Sequence, residues 1–167
     1  MLTLWILISC SSEPVLVGLA EDHAAEGTAD AGPQRYEKSE AVMVDLAYLA
    51  GRGWNEVRGE AELQMGRIEG RVDRGRDGTE IQLAKGLVRV VDEQVQLIRV
   101  ELPYAMRRSQ ALEMLGLPPQ VREWHGNERD WVTQHNFGFE RIRMGRDAPD
   151  SELVVWVEAR KFNARRR

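Results

Sequence analysis

At 167 residues, 43% hydrophobic and 30% charged, the chain can bury one modest core or two very small ones that share a sheet, and it is not disordered overall. The net charge of −4, with bases interspersed among acids, gives no electrostatic footprint for nucleic acid. The one basic run, Arg165 to Arg167, reads as a frayed tail.

The first ten residues, MLTLWILISC, are apolar from Leu2 to Ile8 apart from Thr3 and end in Leu7-Ile8-Ser9-Cys10. A run this short cannot span a bilayer as a helix, but it suits the apolar region of an export signal. Cys10 is the only cysteine, so no internal disulfide forms. The segment resembles the lipobox of bacterial lipoproteins, in which the cysteine is lipid-modified after cleavage. Position 11 is Ser, not the aspartate that retains such proteins in the inner membrane, so the resemblance implies anchoring at the outer membrane through Cys10, on the periplasmic side or the cell surface. Two other readings stay open. Cleavage after Gly18-Leu19-Ala20 would release a soluble exported protein, and an uncleaved segment would form a buried N-terminal strand with an inert thiol.

Ser11 to Glu40 holds seven acids and two bases among Ala, Gly, Thr and Pro, too few large apolar residues to offset the entropy of ordering. It reads as a flexible acidic tether. Ser39 to Ala50 then carries Val42, Leu46 and Leu49 on one stripe and predicts a helix stopped by Gly51. Asn55 to Met65, with Val57, Ala61 and Met65 at four-residue spacing, predicts a second, although Glu60 to Met65 also alternates like a strand. Ile68 to Val72 is an expected edge strand. Thr79 to Leu83, Leu87 to Val91 and Val95 to Leu102 follow as three strands, and the turn-sized gaps between them make antiparallel neighbours.

Pro103 is expected to end the last of these strands, because it has no N–H for a ladder. Met106 to Leu115 reads as a short helix with Gly116 as its left-handed stop and Pro118 beyond. Glu123 to His135 reads as a polar hairpin loop with an aromatic staple. Further strands are expected around Gly138 to Ile142 and Leu153 to Glu158.

The two halves show a repeat. Met65-Gly66 ends one helix as Leu115-Gly116 ends another, Gly86 to Val90 matches Gly138 to Ile142 in its glycine, its arginine and two apolar positions, and Val100-Glu101 matches Val157-Glu158. The expected fold class is therefore α+β, with two related units of a helix or helix pair followed by an antiparallel meander. The expected layout is a signal at 1–9, the tether at 10–38, one unit at 39–103, a second at 104–162, and a basic tail at 163–167. Behind a lipobox, this pattern resembles the small outer-membrane lipoproteins of the SmpA/OmlA type, and doubled it resembles the tandem layout of β-lactamase inhibitor protein. Both resemblances imply a protein-binding or assembly role without catalysis.

Candidate chemistry is thin. His125 and His135 lie in a segment with several acids, but they form no i, i+4 pair and have no cysteine partner, so neither a metal site nor a cofactor is expected. A small envelope hydrolase using either histidine is the minor alternative to a non-enzyme. A surface argument goes further. If Ile98, Val100, Val155 and Val157 face the helices, the opposite face carries Arg99, Phe139, Arg141, Arg143 and Trp156, and tryptophan with arginine dominates binding hot spots. The expected function is non-catalytic binding of an envelope protein, either lipid-anchored or, alternatively, as a soluble periplasmic or secreted inhibitor-like protein.

Overall fold

In a computed structural model, which describes residues 42–121 and 123–162, the elements in order are α1 (Leu46–Leu49), α2 (Trp54–Met65), β1 (Ile68–Asp73), β2 (Thr79–Leu83), β3 (Gly86–Val91), β4 (Gln94–Arg107), α3 (Arg108–Met114), β5 (His125–Gly126), β6 (Asp130–Gln134), β7 (Phe139–Arg146) and β8 (Leu153–Lys161). The class is α+β. The expected signal, Cys10, the expected tether, residues 39–41 at the start of the first expected helix, and the expected basic tail lie outside the described residues. None of the described helices is long and apolar enough to cross a membrane.

All eight described strands join one antiparallel sheet in the order β1-β2-β3-β4-β8-β7-β6-β5. One row of directly opposed residues runs Leu83, Gly86, Val100, Val157, Met144, Trp131, and the next runs Ile81, Val88, Ile98, Ala159, Ile142, Thr133. Opposed residues share a face, so these rows form one continuous apolar surface. Leu46, Leu49, Val57, Ala61 and Met65 from α1 and α2, and Ala111 and Leu112 from α3, join them in a single buried cluster. All three described helices thus cover the same side, and among the described residues the other side of the sheet is left open.

Several elements depart from expectation for identifiable reasons. The first helix is one turn. Residues 43–46 are committed elsewhere: Met43 N–H donates to Met114 O (2.8 Å) and Leu46 N–H to Leu115 O (3.3 Å), closing the end of α3. Asp45 then caps α1, its carboxylate accepting from Tyr48 N–H at 2.9 Å. The second helix forms over the whole expected span and not as a strand.

Pro103 does not end β4, which continues to Arg107. Pairing with β8 is interrupted between Glu101 and Met106, so the proline occupies an irregular stretch where no ladder bond is lost. Met106 is therefore a strand residue, and α3 starts two residues later than expected. Gly116 does adopt the left-handed conformation (φ 68°), which lets Leu117 N–H reach Leu112 O at 2.9 Å. The hairpin expected at 123–135 does form, with Val132 opposite His125 and Trp131 opposite Gly126.

Two irregularities change which side chains are buried. The pairing of β7 with β8 shifts between Phe139 and Arg141, and Phe139 turns into the core, where it is fully buried. It shifts again between Gly145 and Arg146, where Val155 is the extra residue, so Val154 and Val157 are buried where Val155 and Val157 were expected.

Candidate functional site

The open face is built from alternate residues of β2 to β8 in three rows. The first runs Glu101, Trp156, Gly145, Asp130; the second Leu87, Arg99, Glu158, Arg143, Val132; the third Glu80, Arg89, Leu97, Arg160, Arg141, Gln134. Arginine and glutamate alternate along the second row, whereas in the third Arg160 stands directly opposite Arg141 and the two are met by Glu140 and Glu158 respectively.

Trp156 is the largest side chain of this face. Its indole lies over Gly145, where a Cβ would overlap Trp156 Cε2 and Nε1. The Arg99 guanidinium stands 4.4 Å from the ring centroid and that of Arg143 5.7 Å. The glycine opposite thus provides the seat, and arginines from β4 and β7 hold the ring. Arg141 or Arg143 was the expected neighbour of Trp156; Arg143 is within reach of the ring, but Arg99 is nearer.

Arg143 also anchors the most buried carboxylate of the face. Its Nε donates to Asp130 at 3.1 Å and its Nη2 makes a second bond to the same oxygen. Asn127 donates to the other oxygen at 2.6 Å, while its own carbonyl oxygen accepts the backbone N–H groups of Arg129 and Asp130. Burial would raise the Asp130 carboxyl, but the hydrogen bonds from Arg143 and Asn127 and the charges of Arg143 and Arg141 outweigh it and hold it below the usual aspartate value. The same bond raises Arg143.

Elsewhere Arg141 approaches Glu158 (3.9 Å), Arg160 approaches Glu140 (3.5 Å), and Arg99 bonds Glu101 (3.0 Å). Glu80 accepts from Arg89 (3.0 Å) and Arg74 (3.4 Å), and the Arg89 bond keeps its carboxyl low against the opposing effect of burial.

The structure therefore brings Trp156, Arg99, Arg141 and Arg143 together on one face. Phe139 is not among them: it belongs to the core, with Lys161 Nζ 4.8 Å from its ring centroid. The histidines do not converge. His125 is exposed on β5 beside Glu123 (3.6 Å), whereas His135 stacks on Phe162 (5.4 Å) beyond the end of β6. Among the described residues no three His, Cys, Asp or Glu side chains are placed to hold a metal ion.

A second arginine–tryptophan cluster, not expected from the sequence, lies on the helix side. Trp131 is sandwiched between Arg108 (3.7 Å) at the start of α3 and Arg146 (4.1 Å) of β7, and Trp124 covers Arg108 from 5.8 Å. Arg108 is also tied to Glu152 (3.1 Å) and Arg146 Nη1 to Ser151 O (2.7 Å). These bonds rivet α3 to the far end of the sheet. The only sequence signal was the pair Trp124 and Trp131, since their arginines come from distant segments.

No protein-family model, curated protein or solved structure matches this chain.

Proposed function

We propose that this chain is an exported, lipid-anchored protein of the bacterial envelope that binds a protein partner, without catalysis, through the open face of its sheet. The observation that carries the reading is Trp156, held over Gly145 between Arg99 and Arg143 on the side of the sheet that no described helix covers. A partly exposed indole pre-fixed by two guanidinium groups presents apolar area at little further entropic cost on binding, which is how hot-spot residues work.

The arginines Arg99, Arg141 and Arg143 give the same face donors that can exchange their internal carboxylates for those of a partner. Leu7-Ile8-Ser9-Cys10 supports the lipid anchor at the outer membrane. The mirrored strand order, β1-β2-β3-β4 against β8-β7-β6-β5, supports descent from two copies of one helix-then-meander unit: Gly86 to Val90 and Gly138 to Ile142, which match in sequence, involve the third strand of each half.

The test is site-specific photo-crosslinking in intact envelopes. A photoreactive residue at Leu87 or Arg160, on the open face, captures a partner that one at Leu63 on α2 does not, and Trp156→Ala abolishes the product. Equal capture from both sides, or capture indifferent to Trp156, contradicts the reading.

A further inference from the structure

The strand β1 is the last strand on one side of the sheet, and among the described residues nothing continues the ladder beyond it. The opposite end is closed by β5, which is only two residues long. A free edge of six residues is a template for another strand. We propose that β1 pairs antiparallel with β1 of a second copy, centred on Val72, to form a dimer with a continuous sheet.

The register follows from the backbone. Arg74 N–H donates to Gly78 O at 2.8 Å, so in the alternating antiparallel pattern the peptide groups of Val72 and Gly70 also point at β2. Those of Arg71 and Asp73 point at the open edge. A copy centred on Val72 then exchanges two hydrogen bonds between each Arg71 and the opposite Asp73, and places the two Val72 side chains in the close, non-hydrogen-bonded position.

Charge selects the same register. Arg71 lies opposite Ile81 and Asp73 opposite Thr79 in the next strand, so both stand on the helix side of the sheet, and a copy centred on Val72 sets Arg71 against Asp73 twice. Val72 is opposite Glu80 on the other side and is 48% exposed, an apolar side chain that the second Val72 would cover. A copy centred on Arg71 would oppose arginine to arginine and Glu69 to Asp73. One centred on Gly70 would need Glu69 in register, but the pairing of β1 is broken between Ile68 and Gly70. Only the Val72 register matches both face and charge.

A dyad normal to the sheet keeps both open faces on one side, so the dimer would present two copies of the Trp156 surface together. The pairing itself stands whether or not that surface binds the partner proposed above.

The experiment is sedimentation over a wide concentration series of the full-length chain carrying Cys10→Ser, so that neither acylation nor a disulfide between copies contributes. The parent dimerises reversibly. Arg71→Asp and Asp73→Arg each weaken association by about tenfold or more, because two favourable opposed pairs become repulsive. The double variant Arg71→Asp/Asp73→Arg recovers it, as does an equimolar mixture of the two single variants, in which every reversed side chain meets an opposite charge. Both positions are exposed, and the one bond that Asp73→Arg removes, from Gly75 N–H at 2.8 Å, lies in the turn after β1, so circular dichroism spectra should differ little between the proteins. A parent that is monomeric throughout overturns the proposal, as does single-variant association as tight as the parent's. Failure of the double variant and of the mixture to recover overturns it too. A parent that associates only after residues 11–40 are clipped would also overturn it, and would assign the edge to the chain's own N-terminal segment.

Discussion

Replacing Gly145 with alanine tests the seating of Trp156 on the open face. The new Cβ would overlap Trp156 Cε2 and Nε1, so the indole must leave its place between Arg99 and Arg143. Overpacking of this kind costs about 1–3 kcal/mol. The displaced ring also loses its cation–π contacts, about 0.5–1 kcal/mol each at a partly exposed site. In a Trp156→Ala background the clash disappears, and alanine for glycine inside a strand becomes neutral or favourable by roughly 0.5–1 kcal/mol. The double-mutant cycle therefore predicts a coupling of at least about 1.5 kcal/mol. Urea unfolding of the four proteins, followed by far-ultraviolet circular dichroism, measures it. If Gly145→Ala is equally destabilising in both backgrounds, the indole does not rest on Gly145 and the register of β7 with β8 is wrong.

Asp130→Asn should remove part of the protein's acid sensitivity. A carboxyl held below its unfolded value stabilises the fold above the unfolded pKa and loses that contribution as pH falls through the folded one, so the variant and parent should differ at neutral pH and converge in acid. Because the Arg143 side chain is 36% exposed, the neutral-pH loss should be roughly 1–2 kcal/mol, below the upper end for a charged hydrogen bond. Trp131→Ala should loosen α3, seen as faster hydrogen exchange in Arg108 to Met114 with β1 to β3 unaffected, since the stack on Arg108 is a main tie of that helix to the sheet. Changing His125 and His135 together to alanine should leave the protein's function in the envelope intact, a result that discards the hydrolase reading. Cys10→Ala should abolish palmitate labelling and release the protein from the membrane fraction, and equal labelling would end the lipoprotein reading.

Much of the fold was legible because period and punctuation agree along β2, β3 and the start of β4, where Ile81, Leu83, Val88, Ile98 and Val100 alternate inward as the sequence alternates. Legibility fails where the backbone inserts one residue. Phe139 and Ile142 are an odd number of positions apart and yet both are buried, as are Val154 and Val157, because a bulge between each pair flips the strand. Nothing in the local sequence announces those bulges. Pro103 misleads for a related reason: it stands where pairing has already lapsed. The shortness of α1 is tertiary, since Met43, Val44 and Leu46 bond to the end of α3 and Asp45 N–H to Gln64 of α2. Trp156 was placed correctly because its neighbour Val157 lies beyond the bulge, in the regular part of β8. Its seat on Gly145 depends on cross-strand register, which one strand alone does not encode.

The most direct test of the central claim is the affinity of the captured partner for the parent and for Trp156→Ala, measured by titration calorimetry alongside Leu63→Ala, a large exposed residue on the helix side. The account predicts a loss of about 2 kcal/mol or more, roughly thirtyfold, for Trp156→Ala and none for Leu63→Ala. Equal affinity for Trp156→Ala and the parent, or a loss confined to Leu63→Ala, would contradict it.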